Sequence, residues 1–93
     1  MKNAVAHQPI AVAVDAHNWK NYNGGIVGTS FCGTSLDHAV LTVGYGTDNG
    51  TEYWLIKNSW GTDWGENGYI RLQIVSGEGT CGVQKSPESV SSN

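Results

Sequence analysis

Two strand-forming runs, HAVLTVGYG (38–46) and TEYWLIKN (51–58), stand on either side of Asp48-Asn49-Gly50. Asn and Gly tolerate the positive φ that a tight hairpin demands, so the two runs are expected to pair antiparallel across that turn. A hairpin closed at residues 47–50 brings its outer ends together. His38 and Asn58, 20 positions apart in sequence, thereby become neighbours in space.

Other segments extend this sheet. IAVAVDA (10–16) reads as a buried strand. Glu66-Asn67-Gly68 forms a second turn into YIRLQIV (69–75), where Tyr69, Arg71 and Gln73 on a wet face alternate with Ile70, Leu72 and Ile74 on a dry one. GTCGVQ (79–84) is expected to add a last short strand. Residues 2–7 read as the last turn of a helix stopped by Gln8-Pro9, so the chain is expected to begin inside an element. Trp19 and Tyr22 share one short helical turn that ends at Gly24-Gly25. Thirteen glycines against two prolines, with many β-branched and aromatic residues, point to a mainly β fold of one domain over residues 1–93, with 87–93 as a flexible polar tail.

Composition removes several function classes. Five Lys and Arg against eight Asp and Glu give a net charge of −3, which leaves no basic face for nucleic acid and no basic stripe for a membrane. No apolar run approaches the roughly 20 residues of a bilayer span, and His7, Gln8 and Pro9 interrupt any signal-like core, so no targeting signal is read. His7 and His17 read as solvated surface residues, and Tyr45 and Tyr53 as packing on the sheet. Cys32 and Cys81 lack zinc-site spacing, and neither a metal nor a cofactor is expected; the two are either a disulfide or two free thiols. The triplet Asn49-Gly50-Thr51 makes Asn49 a candidate glycosylation site and fits an oxidising secretory route.

The chemistry rests on His38. A neutral imidazole can take a proton from a nucleophile and return it to a leaving group when its ring is held in one tautomer. Asn58 is a suitable holder, because its carbonyl oxygen accepts a ring N–H without adding charge. Trp60 would shield that bond from water, and Trp60 and Trp64 with Gly61 and Gly65 would form a dry, tightly turned wall around it. On spacing alone the plainer reading prevails: a histidine at a strand end is more often an ordinary satisfied polar group, and Asn-Ser before a loop is more often turn chemistry.

Longer motifs change that balance. LDHAVLTVGYG and YWLIKNSWGTDWGENGYIRL resemble the histidine and asparagine motifs of papain-like cysteine peptidases, and HQPIAVAVDA, NYNGGI and the cysteine pair follow in the family's order up to about residue 87. The resemblance implies the β-barrel-like, antiparallel right domain of that two-domain fold, with His38 as catalytic base and acid, Asn58 as its orienting partner and Trp60 on the leaving-group side of the cleft. It implies a Cys32–Cys81 disulfide. It also implies substrate binding by Ala13, Leu36, Asp37, Ala39 and Ser86. With no carboxylate at position 86, the main specificity pocket is expected to prefer apolar side chains over Arg.

The family's nucleophile signature, of the Cys-Gly-Ser-Cys-Trp type, is absent from this chain, as is the upstream glutamine that helps hold the oxyanion. The resemblance therefore covers only the His/Asn-bearing half. Expected partners are a peptide or protein substrate, a complementary Cys-bearing domain or chain, and a second copy of this chain across the exposed interdomain face. The parent enzyme is expected in a lysosome or vacuole, or secreted. A non-catalytic module that binds peptide or partner without cleavage, an idea favoured by Met1 inside a helix, and a ligase or transamidase relative with the same Cys–His–Asn geometry are the alternatives.

Overall fold

The computed structural model of the chain describes residues 2–85 and 87–88, with side chains over 5–85. Helix α1 (Lys2–His7) gives way at Gln8-Pro9 to strand β1 (Ile10–Val14), because proline has no N–H to donate and biases its predecessor away from helix. Strands β2 (Ile26–Val27), β3 (His38–Asp48), β4 (Thr51–Lys57), β5 (Tyr69–Gln73) and β6 (Pro87–Glu88) complete one sheet in the order β2-β5-β4-β3-β1-β6. Every pairing is antiparallel except β2 with β5. That parallel pair arises because the chain from β1 crosses to the opposite edge of the sheet, through a 3-10 turn at Trp19–Asn21, instead of doubling back in a hairpin. β6 falls in the segment expected as a tail; residues 89–93 of that tail lie outside the described residues.

The β3–β4 hairpin closes as expected. Asn49 (φ 52°) and Gly50 (φ 84°) form a two-residue turn between the paired Asp48 and Thr51, and two positive φ values are what a type I′ turn needs. From Thr42 opposite Ile56 to Leu41 opposite Lys57 the register is regular, after a bulge at Val43. Strand pleating then sorts the side chains by parity. Ile10, Val12, Val14, Val40, Trp54, Ile56, Ile70 and Leu72 are all buried on the inner face, while Ala11, Ala13, Ala39 and Leu41 face outward.

One expected strand is absent. Thr80–Gly82 form a 3-10 helix where GTCGVQ read as extended, since Gly79, Cys81 and Gly82 have φ values of 82°, 57° and 72°, outside strand geometry. Thr80 Oγ1 donates to the Gln73 carbonyl at 2.8 Å and fixes this turn beneath β5. Cys81 is bonded to Cys32, 49 residues away, which ties the turn to the loop before β3. The buried Asp15 adds to that tie. Its backbone N–H donates to Cys81 O at 2.8 Å, and its carboxylate accepts the N–H groups of His17 at 3.0 Å and Ser35 at 3.1 Å.

The outer face of β5 is less wet than its alternation implied. Arg71 donates through Nε and the guanidinium fork to both oxygens of Glu66, at 2.8 and 2.9 Å, and to Asp48 at 3.0 Å. Its guanidinium lies 5.1 Å from the Tyr53 ring centre. Glu66 also accepts the Gly25 N–H at 2.8 Å, so one carboxylate joins the approach to β2, the turn before β5 and the hairpin. The hydrogen bonds from Arg71 hold the Glu66 carboxyl below its usual value, against the opposing effect of burial.

Two outcomes follow from these ties. Replacing both Cys32 and Cys81 with Ser is expected to lower the unfolding free energy by up to about 4 kcal/mol, by chain entropy; denaturation midpoints that coincide for the two proteins would contradict it. The depressed Glu66 carboxyl adds stability that is present above its unfolded-state value and is lost as pH falls through the lower folded-state value. Glu66→Gln should therefore be less stable at neutral pH and show a shallower loss of stability in acid, measured by urea titration across that range.

Candidate active site

His38 opens β3, and Asn58 directly follows β4. Both are even-numbered on strands whose even positions face inward, so the ladder delivers them to the same side of the sheet. His38 Nε2 lies 2.8 Å from Asn58 Oδ1. The same oxygen accepts the Ser59 N–H at 2.8 Å. A backbone N–H is always a donor, so the atom it meets must be the amide oxygen, and the ring nitrogen facing that oxygen must carry its proton. Neutral His38 is therefore the Nε2–H tautomer, with the lone pair on Nδ1.

Asn58 has no freedom to drift. It is 5% exposed, and its backbone N–H donates to Gly68 O at 3.0 Å. Gly68 in turn donates to Trp64 O at 2.7 Å, which closes the loop that follows β4. Gly65 (φ 60°) permits this closure: a Cβ there would lie 2.6 Å from Tyr69 O and 3.0 Å from the Tyr22 ring.

Aromatic rings pack around the pair. Trp60 lies 5.2 Å from the imidazole, ring centre to ring centre, tilted by 32°. Trp64 stands edge-on to Trp60 at 5.3 Å, stacks on Trp19 at 5.8 Å and donates its Nε1–H to Trp19 O at 2.8 Å. The expected dry wall is dry on one side only, because Trp60 remains 41% exposed. Trp19, fully buried, stands edge-on to His38 at 6.1 Å. The sequence marked Trp19 only by its helical spacing from Tyr22, and nothing in that spacing tied it to the histidine. Two buried donors here, Trp19 Nε1 and Asn58 Nδ2, have no partner among the described residues.

The proposed substrate-binding residues divide. Ala13 and Ala39 are direct cross-strand partners on the outer face, beside His38. Leu36 instead packs its Cδ2 over Gly82, where an added Cβ would come within 2.8 Å. Asp37 accepts the Ala16 N–H at 2.9 Å and donates its own to Val14 O at 2.9 Å, so it braces the end of β1. Ser86 lies outside the described residues. An open groove of about 380 Å³ runs past Ala39, lined by Ala11, Val40, Leu41, Lys57, Asn58 and Ser59.

The arrangement can hold, take up and release a proton at His38, and it contains no nucleophilic sulfur. Both cysteines are in the disulfide. Among the described residues no cluster of His, Cys, Asp and Glu could hold a metal ion.

Known proteins resemble this chain in sequence and fold. A family model described as papain family cysteine protease matches residues 1–91. The chain is 50% identical to cysteine proteinase RD21A of Arabidopsis thaliana over 91 residues, which is 94% of this chain and 20% of that protein. It is 56% identical to papaya proteinase 4 of Carica papaya over 88 residues, 90% of this chain and 25% of the relative. The bromelain protease of Ananas comosus, solved in complex with the E64 inhibitor, superposes with a TM-score of 0.84 at 53% identity, over 90% of this chain and 40% of that one. The chain thus spans about a quarter or less of these curated relatives' length. Matched by that family model over residues 1–91 and about half identical to these proteases over nearly all of its length, the chain belongs to the papain family of cysteine proteases.

Proposed function

We propose that this chain is the imidazole-bearing part of a papain-like cysteine endopeptidase, and that it needs a Cys-bearing left domain or chain to hydrolyse peptide bonds. The observation that carries the reading is the 2.8 Å contact of His38 Nε2 with an Asn58 oxygen already fixed by the Ser59 N–H. With Nε2 occupied, Nδ1 is the nitrogen left to meet a thiol. A cysteine supplied there would give up its proton to Nδ1 and attack the substrate carbonyl as a thiolate. The imidazolium would then protonate the leaving amine, and the acyl-thioenzyme would be opened by water with His38 as base. Asn58 acts through His38 as a positioning residue, and Trp60 borders the leaving-group side.

Cys32 and Cys81, being joined, supply no nucleophile, so the chain alone is inactive in this reading. The groove beside Ala39 and Leu41 supports a docking face for the missing half, with Lys57 as its charged member and Leu41 40% exposed. The paired Ala13 and Ala39 support a preference for apolar substrate side chains such as Leu, Val or Phe over Arg near the scissile bond. The parent enzyme would work in a vacuole or lysosome, or outside the cell, where a disulfide persists.

Reconstitution tests this directly. Mixing the chain with the Cys-bearing half of a papain-family relative is expected to restore hydrolysis of a fluorogenic peptide. Activity of the chain alone that a thiol alkylator blocks would overturn the reading, and a dimer of this chain that refuses the other half would favour the non-catalytic alternative. In the reconstituted enzyme, Asn58→Ala should cut kcat roughly a hundredfold with little change in KM. Nitrogen-15 NMR of neutral His38 should show the Nε2–H tautomer, mixed with the other in Asn58→Ala.

A further inference from the structure

Asn49 lies at the opposite pole of the molecule from the His38–Asn58 pair. Strand β3 runs 11 residues from His38 to Asp48, so the hairpin tip stands about 30 Å from the imidazole at the usual rise per residue, in a chain whose longest extent is 33 Å. Asp48, Asn49 and Gly50 are all exposed, and a Cβ added at Gly50 would meet nothing within 4 Å. The Asn49 amide makes no hydrogen bond among the described residues, and it braces nothing. Thr51, two residues on, is the hydroxyl residue that N-glycosylation requires; of the chain's asparagines only Asn49 is followed by such a residue at that spacing. The Cys32–Cys81 bond independently calls for an oxidising compartment.

We propose that Asn49 is an N-glycan acceptor, and that the turn presents the glycan at the pole remote from the cleft. In the transfer, Asn49 Nδ2 forms a bond to the anomeric carbon of an oligosaccharide carried on a polyprenyl pyrophosphate. The sugar–phosphate bond breaks, the lipid pyrophosphate leaves, and the amide proton passes to base. Transfer precedes closure of the hairpin, because the folded turn holds Asn49 at φ 52° and Gly50 at φ 84°, too tight to bend into a second active site. Once formed, the turn leaves the sugar in solvent, clear of the ladder. The proposal does not depend on peptidase activity.

The test is expression of the full chain behind a secretory leader in eukaryotic cells, read in whole lysate so that secretion is not required. A peptide N-glycosidase should increase gel mobility of the chain and of Thr51→Ser, and should leave Asn49→Gln and Thr51→Val unchanged. Asn49-Gly50 can also lose ammonia spontaneously, so release is done in oxygen-18 water: a heavy-oxygen aspartate at position 49 that appears only with the enzyme reports a glycan. No mobility change in any variant would overturn the proposal, as would an aspartate at 49 that lacks the heavy label. An occupied chain whose reconstituted turnover drops severalfold relative to Asn49→Gln would overturn the claim that the glycan stands clear of the cleft.

Discussion

In the β3–β4 ladder Leu41 stands opposite Lys57 and Thr42 opposite Ile56, and a slip of one residue would turn every side chain of one strand to the other face. Such a slip would expose Val40 or Ile56 to water. It would also carry His38 or Asn58 to the outside, away from its partner. Burial of the inner face and positioning of the site are therefore enforced by the same register. The turn at Asn49-Gly50 and the bulge at Val43 together set that register, and the core of Val40, Trp54 and Ile56 locks it along the strands.

The loop after β4 finishes what the ladder begins. Asn58 is held at its oxygen by Ser59 and at its backbone by Gly68, two bonds that belong to the chain's own local geometry and not to a ligand. Trp64 caps the arrangement by joining Trp19, on the crossover from β1, to the loop that carries Trp60. The His38–Asn58 pair is thus held in place by this chain's own backbone and side chains. Two buried donors at the site, Trp19 Nε1 and Asn58 Nδ2, and the Thr42 hydroxyl on β3 are without a partner among the described residues.

Much of this was legible in the residues. Positive-φ turn chemistry and period-2 alternation located four of the six strands, and hairpin closure placed His38 next to Asn58. Other features were illegible for physical reasons. Residues 79–84 read as a short strand, whereas positive φ at Gly79, Cys81 and Gly82, one of them a non-glycine whose conformation its residue type does not announce, turns them into a 3-10 helix. The shared-face reading of Arg71 as wet missed Glu66, because the ion pair forms across a turn whose geometry alternation does not encode. Trp19 showed only short-range spacing, and its edge-on contact with His38 depends on a crossover between distant parts of the sheet.

The ring cluster carries one more consequence. Trp60 sits 5.2 Å from the imidazole and keeps 41% of its surface in solvent, so its indole is at once a neighbour of His38 and a readable emitter. Protonated imidazole quenches indole emission at contact range, and neutral imidazole does so far less. A change of charge on His38 is therefore expected to alter the emission of Trp60, one of four tryptophans in the chain. The difference between the emission of the chain and that of Trp60→Phe across a pH series would isolate this imidazole's contribution, with no substrate and no label.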